Sequence, residues 1–106
     1  MRMTKVRQEM KDYSVTKSQI DNMKHTIGFS NRKVRGTKYR KYEAYRNYYA
    51  TQEGCEDFEQ LVDLCDKGLM ISRQDGTTGW LFHLSPEGFR FLSDITGVNI
   101  TESEEI

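Results

Sequence analysis

No apolar run in this chain approaches the ~20 residues that a membrane span needs, and the first residues are charged without the apolar centre of a secretory leader. A soluble, cytoplasmic protein is the expectation. Apolar residues make up only 36% of the total against 30% charged, so a thin core is expected for the length. Cysteine occurs twice, at Cys55 and Cys65. Ten residues apart on one helix, their backbones would lie ~15 Å apart, where a disulfide needs less than ~7 Å. Free thiols in a reducing compartment are therefore expected. Histidine also occurs twice, at His25 and His83. No Cys-x-x-Cys or His-x-x-x-His spacing is present, so neither metal nor cofactor is expected. Phosphate-loop, nucleophile-elbow and His-Glu-x-x-His signatures are missing as well. The chain is read as no enzyme.

What the chain does have is a polarised charge. Net charge is zero over 106 residues, which is the size of one small domain. Residues 1–50 nevertheless hold 13 Lys or Arg against 4 Asp or Glu, and residues 51–106 hold 3 against 12. Such asymmetry speaks about partners or self-association more than about fold.

Local patterns divide the chain into elements. Met3, Val6, Met10 and Tyr13 repeat at helical spacing, with Thr4 as a cap. Residues 1–16 are expected to form a helical arm, whose stripe packs on the domain or pairs with a second copy in a homodimer. A helix over 17–26 follows, with Ile20, Met23 and Ile27 on one side and a stop at Gly28-Phe29. Residues 30–38 lack periodicity and read as a loop. Tyr39, Tyr42, Tyr45 and Tyr48 or Tyr49 recur every three or four residues, so the spacing predicts a helix over 39–51. An acidic helix is predicted over 55–67, carrying Phe58, Leu61, Val62 and Cys65 on one face. Strands over 69–73 and 80–84 form a hairpin about Asp75-Gly76, with Trp80, Phe82 and Leu84 on one face. Ser85 caps a last helix, with Pro86 at its first position and Gly97 at its end. Val98 and Ile100 alternate as a short edge strand, and residues 101–106 read as a frayed acidic tail.

The order helix, strand, wing, strand, helix over 55–96 resembles the second half of a winged-helix domain. Lys67-Gly68-Leu69 and Leu84-Ser85-Pro86-Glu87-Gly88 are similar to runs in MarR-type regulators. The resemblance implies a winged-helix-like domain over 17–100. The fold class expected is α+β, mostly helical, with a two-stranded hairpin between the last two helices. Three further runs, residues 24–29, 45–51 and 92–98, resemble small uncharacterised phage and prophage proteins of Gram-positive bacteria. That likeness implies a setting rather than an activity. The chain departs from the winged-helix pattern at the helix before the hairpin, which carries Glu56, Asp57, Glu59, Asp63 and Asp66 against Lys67 alone. Acidic side chains oppose insertion into an anionic groove.

Two surfaces are thus in view. Arg32, Lys33, Arg35, Lys38, Arg40, Lys41 and Arg46, interleaved with tyrosines, suit nucleic acid: cations reach phosphates while aromatic rings stack on bases. The same residues also fit a solvated face or a partner for the chain's own acids. Glu56, Asp57, Glu59, Asp63 and Asp66 suit a host or phage protein with a basic groove, as an adaptor or inhibitor would; the plainer reading is a solvated helix face.

Overall fold

The computed structural model describes residues 14–103. Among them run α1 (Lys17–Thr26), a 3-10 turn (Asn31–Lys33), β1 (Lys41–Ala44), β2 (Tyr49–Gln52), α2 (Phe58–Asp66), β3 (Met70–Asp75), β4 (Gly79–Leu84), α3 (Pro86–Thr96) and β5 (Asn99–Glu102). Of the described residues 37% are helical and 28% lie in strands, so the α+β class stands while helix does not dominate. The stripe of Met3, Val6, Met10 and Tyr13 lies outside the described residues.

α1 begins where local chemistry stops the extended chain. The Thr16 hydroxyl accepts from Gln19 N at 3.1 Å, and Gln19 Oε1 accepts from Thr16 N at 3.0 Å. This reciprocal capping box satisfies two N–H groups that a helix start leaves without partners. Gln19 does more than cap. Its side-chain amide is buried and donates to Gln60 O at 3.0 Å and to Asp63 Oδ2 at 2.9 Å, tying α1 to α2. The Thr-x-x-Gln run was a readable signal for the cap, and nothing in the sequence pointed to the second bond.

The predicted helix over 39–51 is absent. Two strands, β1 and β2, occupy the segment, joined by residues 45–48. The tyrosine spacing misleads because only Tyr42 is buried, while Tyr39, Tyr45 and Tyr48 are exposed. The period that the fold uses is two: Tyr42 and Ala44 point inward, Lys41 and Glu43 outward. Tyrosine favours strands.

β1 finds its partner at the far end of the chain. It runs parallel to β5, with Lys41 beside Asn99, Tyr42 beside Ile100 and Ala44 beside Glu102. The residues read as the start of a frayed tail, Thr101 and Glu102, are thus the last two of this strand. The other sheet has the order β2-β4-β3, antiparallel throughout. Its hairpin is tighter than expected. β3 reaches Asp75 and β4 starts at Gly79, leaving three residues between them.

Asn47 joins these parts. Its side-chain oxygen accepts from Leu84 N at 2.7 Å and its amide donates to Leu84 O at 3.2 Å. One side chain thereby continues the β2–β4 ladder beyond the end of β2. Its own carbonyl lies 2.7 Å from His83 Nδ1.

α3 matches its prediction at both ends. The Ser85 hydroxyl accepts from Gly88 N at 3.0 Å and donates to Gly68 O at 2.7 Å. Gly97 takes the left-handed conformation at the C-cap. Met23, Ile27, Leu61, Leu64, Leu69, Phe82, Leu84, Leu92, Val98 and Ile100 form one core between the helices and both sheets. No helix among the described residues is long and apolar enough to cross a membrane.

Candidate nucleic-acid interface

The alternation of β1 builds the site. With Tyr42 and Ile100 turned into the core, the outer face of the β1–β5 pair presents Lys41, Glu43, Asn99 and Thr101. The chain before β1 raises a wall beside it. Ser30 caps the 3-10 turn, its hydroxyl accepting from Arg32 N at 3.3 Å. Arg35 and Lys41 then exchange two backbone bonds of 2.9 Å each, closing a loop over 36–40. Between wall and strand lies an open cleft of about 970 Å³, lined also by Arg32, Lys33, Arg35 and Tyr45.

Tyr45 is seated rather than loose. A Cβ built at Gly28 would lie 2.5 Å from the Tyr45 hydroxyl and 2.7 Å from Cζ, so the ring lies against bare backbone that only glycine supplies. Lys33 Nζ lies 4.6 Å from the ring centroid and 3.3 Å from the hydroxyl. Arg46 Cζ lies 5.8 Å from the same centroid, and the residue as a whole is 53% exposed. Tyr39, on the 36–40 loop, is 80% exposed, with Lys38 Nζ 5.6 Å from its centroid. Tyr48 is exposed as well. Tyr42 has the opposite role. It is buried, its hydroxyl donates to the Ile27 and Gly28 carbonyls, and burial raises its pKa.

The seven predicted cations divide. Arg32, Lys33, Arg35 and Lys41 meet at the cleft. Lys38 and Arg40 are exposed on the adjoining loop, outside the lining. Arg46 is drawn away: half-buried, it donates from Nη2 to His25 O at 2.7 Å and tethers the β1–β2 connection to α1. Its Nε is buried with no partner among the described residues. Among the described residues the ion pairs are Lys17–Asp21, Lys67–Asp63 and Arg90–Glu87. None of them uses a cation of the 32–46 set, so among the described residues no ion pair neutralises this face. Among the described residues Glu43 is the one carboxylate in the cleft lining.

The five predicted acidic residues divide too. Asp57 precedes α2 and accepts from the Tyr49 hydroxyl and, at 2.9 Å, from the Thr51 hydroxyl, holding β2 against the helix start. Asp63 accepts from Lys67 and Gln19, and those two bonds, Lys67 first, hold its carboxyl below the usual range. Glu56, Glu59 and Asp66 are exposed. Sequence reasoning could not separate these roles, because the partners sit on β2 and α1.

Burial, then the Asp57 bond, pushes the Tyr49 pKa up to about 12. The raised value means that folding favours the neutral phenol. That contribution is complete below the ordinary value of ~10 and is lost as pH rises from there through about 12. Difference absorbance of phenolate is expected to show one tyrosine titrating near 12 in the native chain and shifting back toward its ordinary value in Asp57→Asn. An unchanged titration in that variant would contradict the assigned partner.

Among the described residues no group of three or more His, Cys, Asp or Glu could hold a metal ion. Cys55 is an exposed free thiol and Cys65 a half-buried one whose pKa burial raises. Compared with known family models, with curated proteins and with solved structures, the chain matches none.

Proposed function

We propose that this chain is a non-enzymatic binding module of phage or prophage type that associates with nucleic acid through the cleft beside β1. One observation carries the reading: Arg32, Lys33, Arg35 and Lys41 line one open recess, all four exposed and none paired with a carboxylate among the described residues. Tyr39 and Tyr45 stand beside them as exposed residues. Cations with aromatic neighbours match the needs of a polyanion that carries bases. A winged-helix-like arrangement of 55–96 is supported by the succession α2, β3, β4, α3. Its helix before the hairpin still exposes Glu59 and Asp66, so the association is assigned to the β1 side.

An adaptor or inhibitor acting on a host or phage protein through the acidic residues is the second reading. It retains Glu56, Glu59 and Asp66 as an exposed set. It ranks below the first because Asp57 and Asp63 are bonded within the fold.

Four phosphate contacts give a log–log salt slope of roughly −3 to −4. Affinity for a labelled oligonucleotide, read by fluorescence anisotropy, is therefore expected to fall about 100-fold between roughly 50 and 200 mM salt. Absence of binding at the lower concentration, or binding indifferent to salt, would overturn the reading.

A further inference from the structure

We infer that the cleft takes single-stranded polynucleotide and excludes duplex as its main ligand, an inference that rests on the nucleic-acid reading above. Three observations point the same way. The first is the secondary structure of the site. Major-groove readers present a helix or a two-stranded ribbon that projects into the groove. Here the cations lie on a 3-10 turn, a loop and the outer face of a strand pair, around a recess. A recess receives a strand, whereas a duplex is too wide to enter one and meets only its rim.

The second observation is the tyrosines. In a duplex the base faces are covered by their neighbours, so an exposed ring gains nothing from them. In a single strand every base has a free face, and an aromatic ring beside a cationic track supplies the stacking partner. Tyr45 is held in position by its close approach to Gly28, so it need not be ordered on binding. Tyr39 projects from the loop whose ends, Arg35 and Lys41, line the recess.

The third is Glu43. It stands in the lining between Lys41 and Tyr45. A rigid duplex with evenly spaced phosphates would bring one toward this carboxylate. A flexible strand can turn a base there instead, and Glu43 then accepts from a base N–H, such as N3–H of thymine or uracil, or leaves the base edge to Asn99.

DNA and RNA share the chemistry invoked, and the test separates them. Labelled oligo-dT, oligo-U and a dT·dA duplex, each about 12 nucleotides and within the range of single-strand modules, are titrated with the full chain at one low salt concentration. Polyglutamate serves as an unlabelled competitor. A single strand is expected to bind at least tenfold more tightly than the duplex, and whichever of oligo-dT and oligo-U binds tighter identifies the source. Tyr45→Ala should weaken single-strand binding roughly 5- to 150-fold, while Tyr45→Phe stays within about twofold. Tyr39→Ala, at a residue too exposed to support the fold, should weaken it as well and guards against misfolding of the first variant. A duplex bound as tightly as either single strand, or single-strand affinity unmoved in both alanine variants, would overturn the inference and leave the nucleic-acid reading standing. No binding to any of the three would overturn that reading. Competition by polyglutamate at the same charge concentration would assign the cleft to an acidic protein and overturn both.

Discussion

Gly88→Ala is expected to destabilise the fold by about 3 kcal/mol or more, although alanine is the better helix former. In an ordinary helix interior this change gains about 1 kcal/mol. Gly88 lies in the first turn of α3, where a Cβ would overlap the Leu69 carbonyl oxygen and lie 3.0 Å from Leu84 Cγ. Backbone is what it meets, so no side chain can rotate aside. The Leu69 carbonyl is also committed, since it accepts from Ser85 N at 3.1 Å. Relief requires α3 to move off the β3 entrance, which pulls Leu92 and Phe91 from the core. Overpacking at such sites costs 1–3 kcal/mol or more. At this size a loss of 3 kcal/mol lowers the melting temperature by about 12–24 °C. Thermal unfolding followed by circular dichroism measures it. A melting temperature equal to or above that of the parent chain would show that α3 does not sit this close to residue 69.

Reversing two charges, as Arg35→Glu with Lys41→Glu, is expected to reduce nucleic-acid affinity at least 100-fold near 0.1 M salt. Each phosphate contact is worth a factor of roughly 5–8 there through counterion release alone, so two lost contacts give about 25- to 60-fold. Two new carboxylates facing phosphates add repulsion. The log–log salt slope should shrink by about 1.5. The melting temperature should hardly change, because both side chains are exposed and the bonds closing the loop between them are backbone to backbone. Glu59→Lys with Asp66→Lys is the matching control and should leave affinity equal or higher. If that control abolishes binding while the cleft reversal does not, the association runs through α2.

The sequence was most informative where a single turn decides the structure. Ser85, Pro86 and Gly97 bound α3 by rules that act within four residues, and the structure follows them. The hairpin about Asp75-Gly76 is likewise local, and only its loop is shorter than expected. The reading failed at 39–51, where two periods competed in one segment. Tyrosines at three- and four-residue spacing imitate a helical stripe, while the strand depends on Ile100, far along the chain, to cover Tyr42. For the site, the seven cations were legible by composition. Their division was not: the bond from Arg46 to the His25 carbonyl and the backbone bridge between Arg35 and Lys41 are contacts that no spacing rule contains. The acidic set shows the same limit, because Tyr49, Thr51 and Gln19 select Asp57 and Asp63 from five similar carboxylates.

The parallel pairing of β1 with β5 also sets an order of events during synthesis. Tyr42 and its neighbours leave the ribosome long before Ile100, and until then one flank of the recess does not exist. A nascent chain would show its positive patch and an uncovered aromatic ring without the cleft to which we assign strand selectivity. Fragments stopping at Gly97, which keep 16 Lys or Arg against 13 Asp or Glu, should accordingly lose any preference for single strand over duplex.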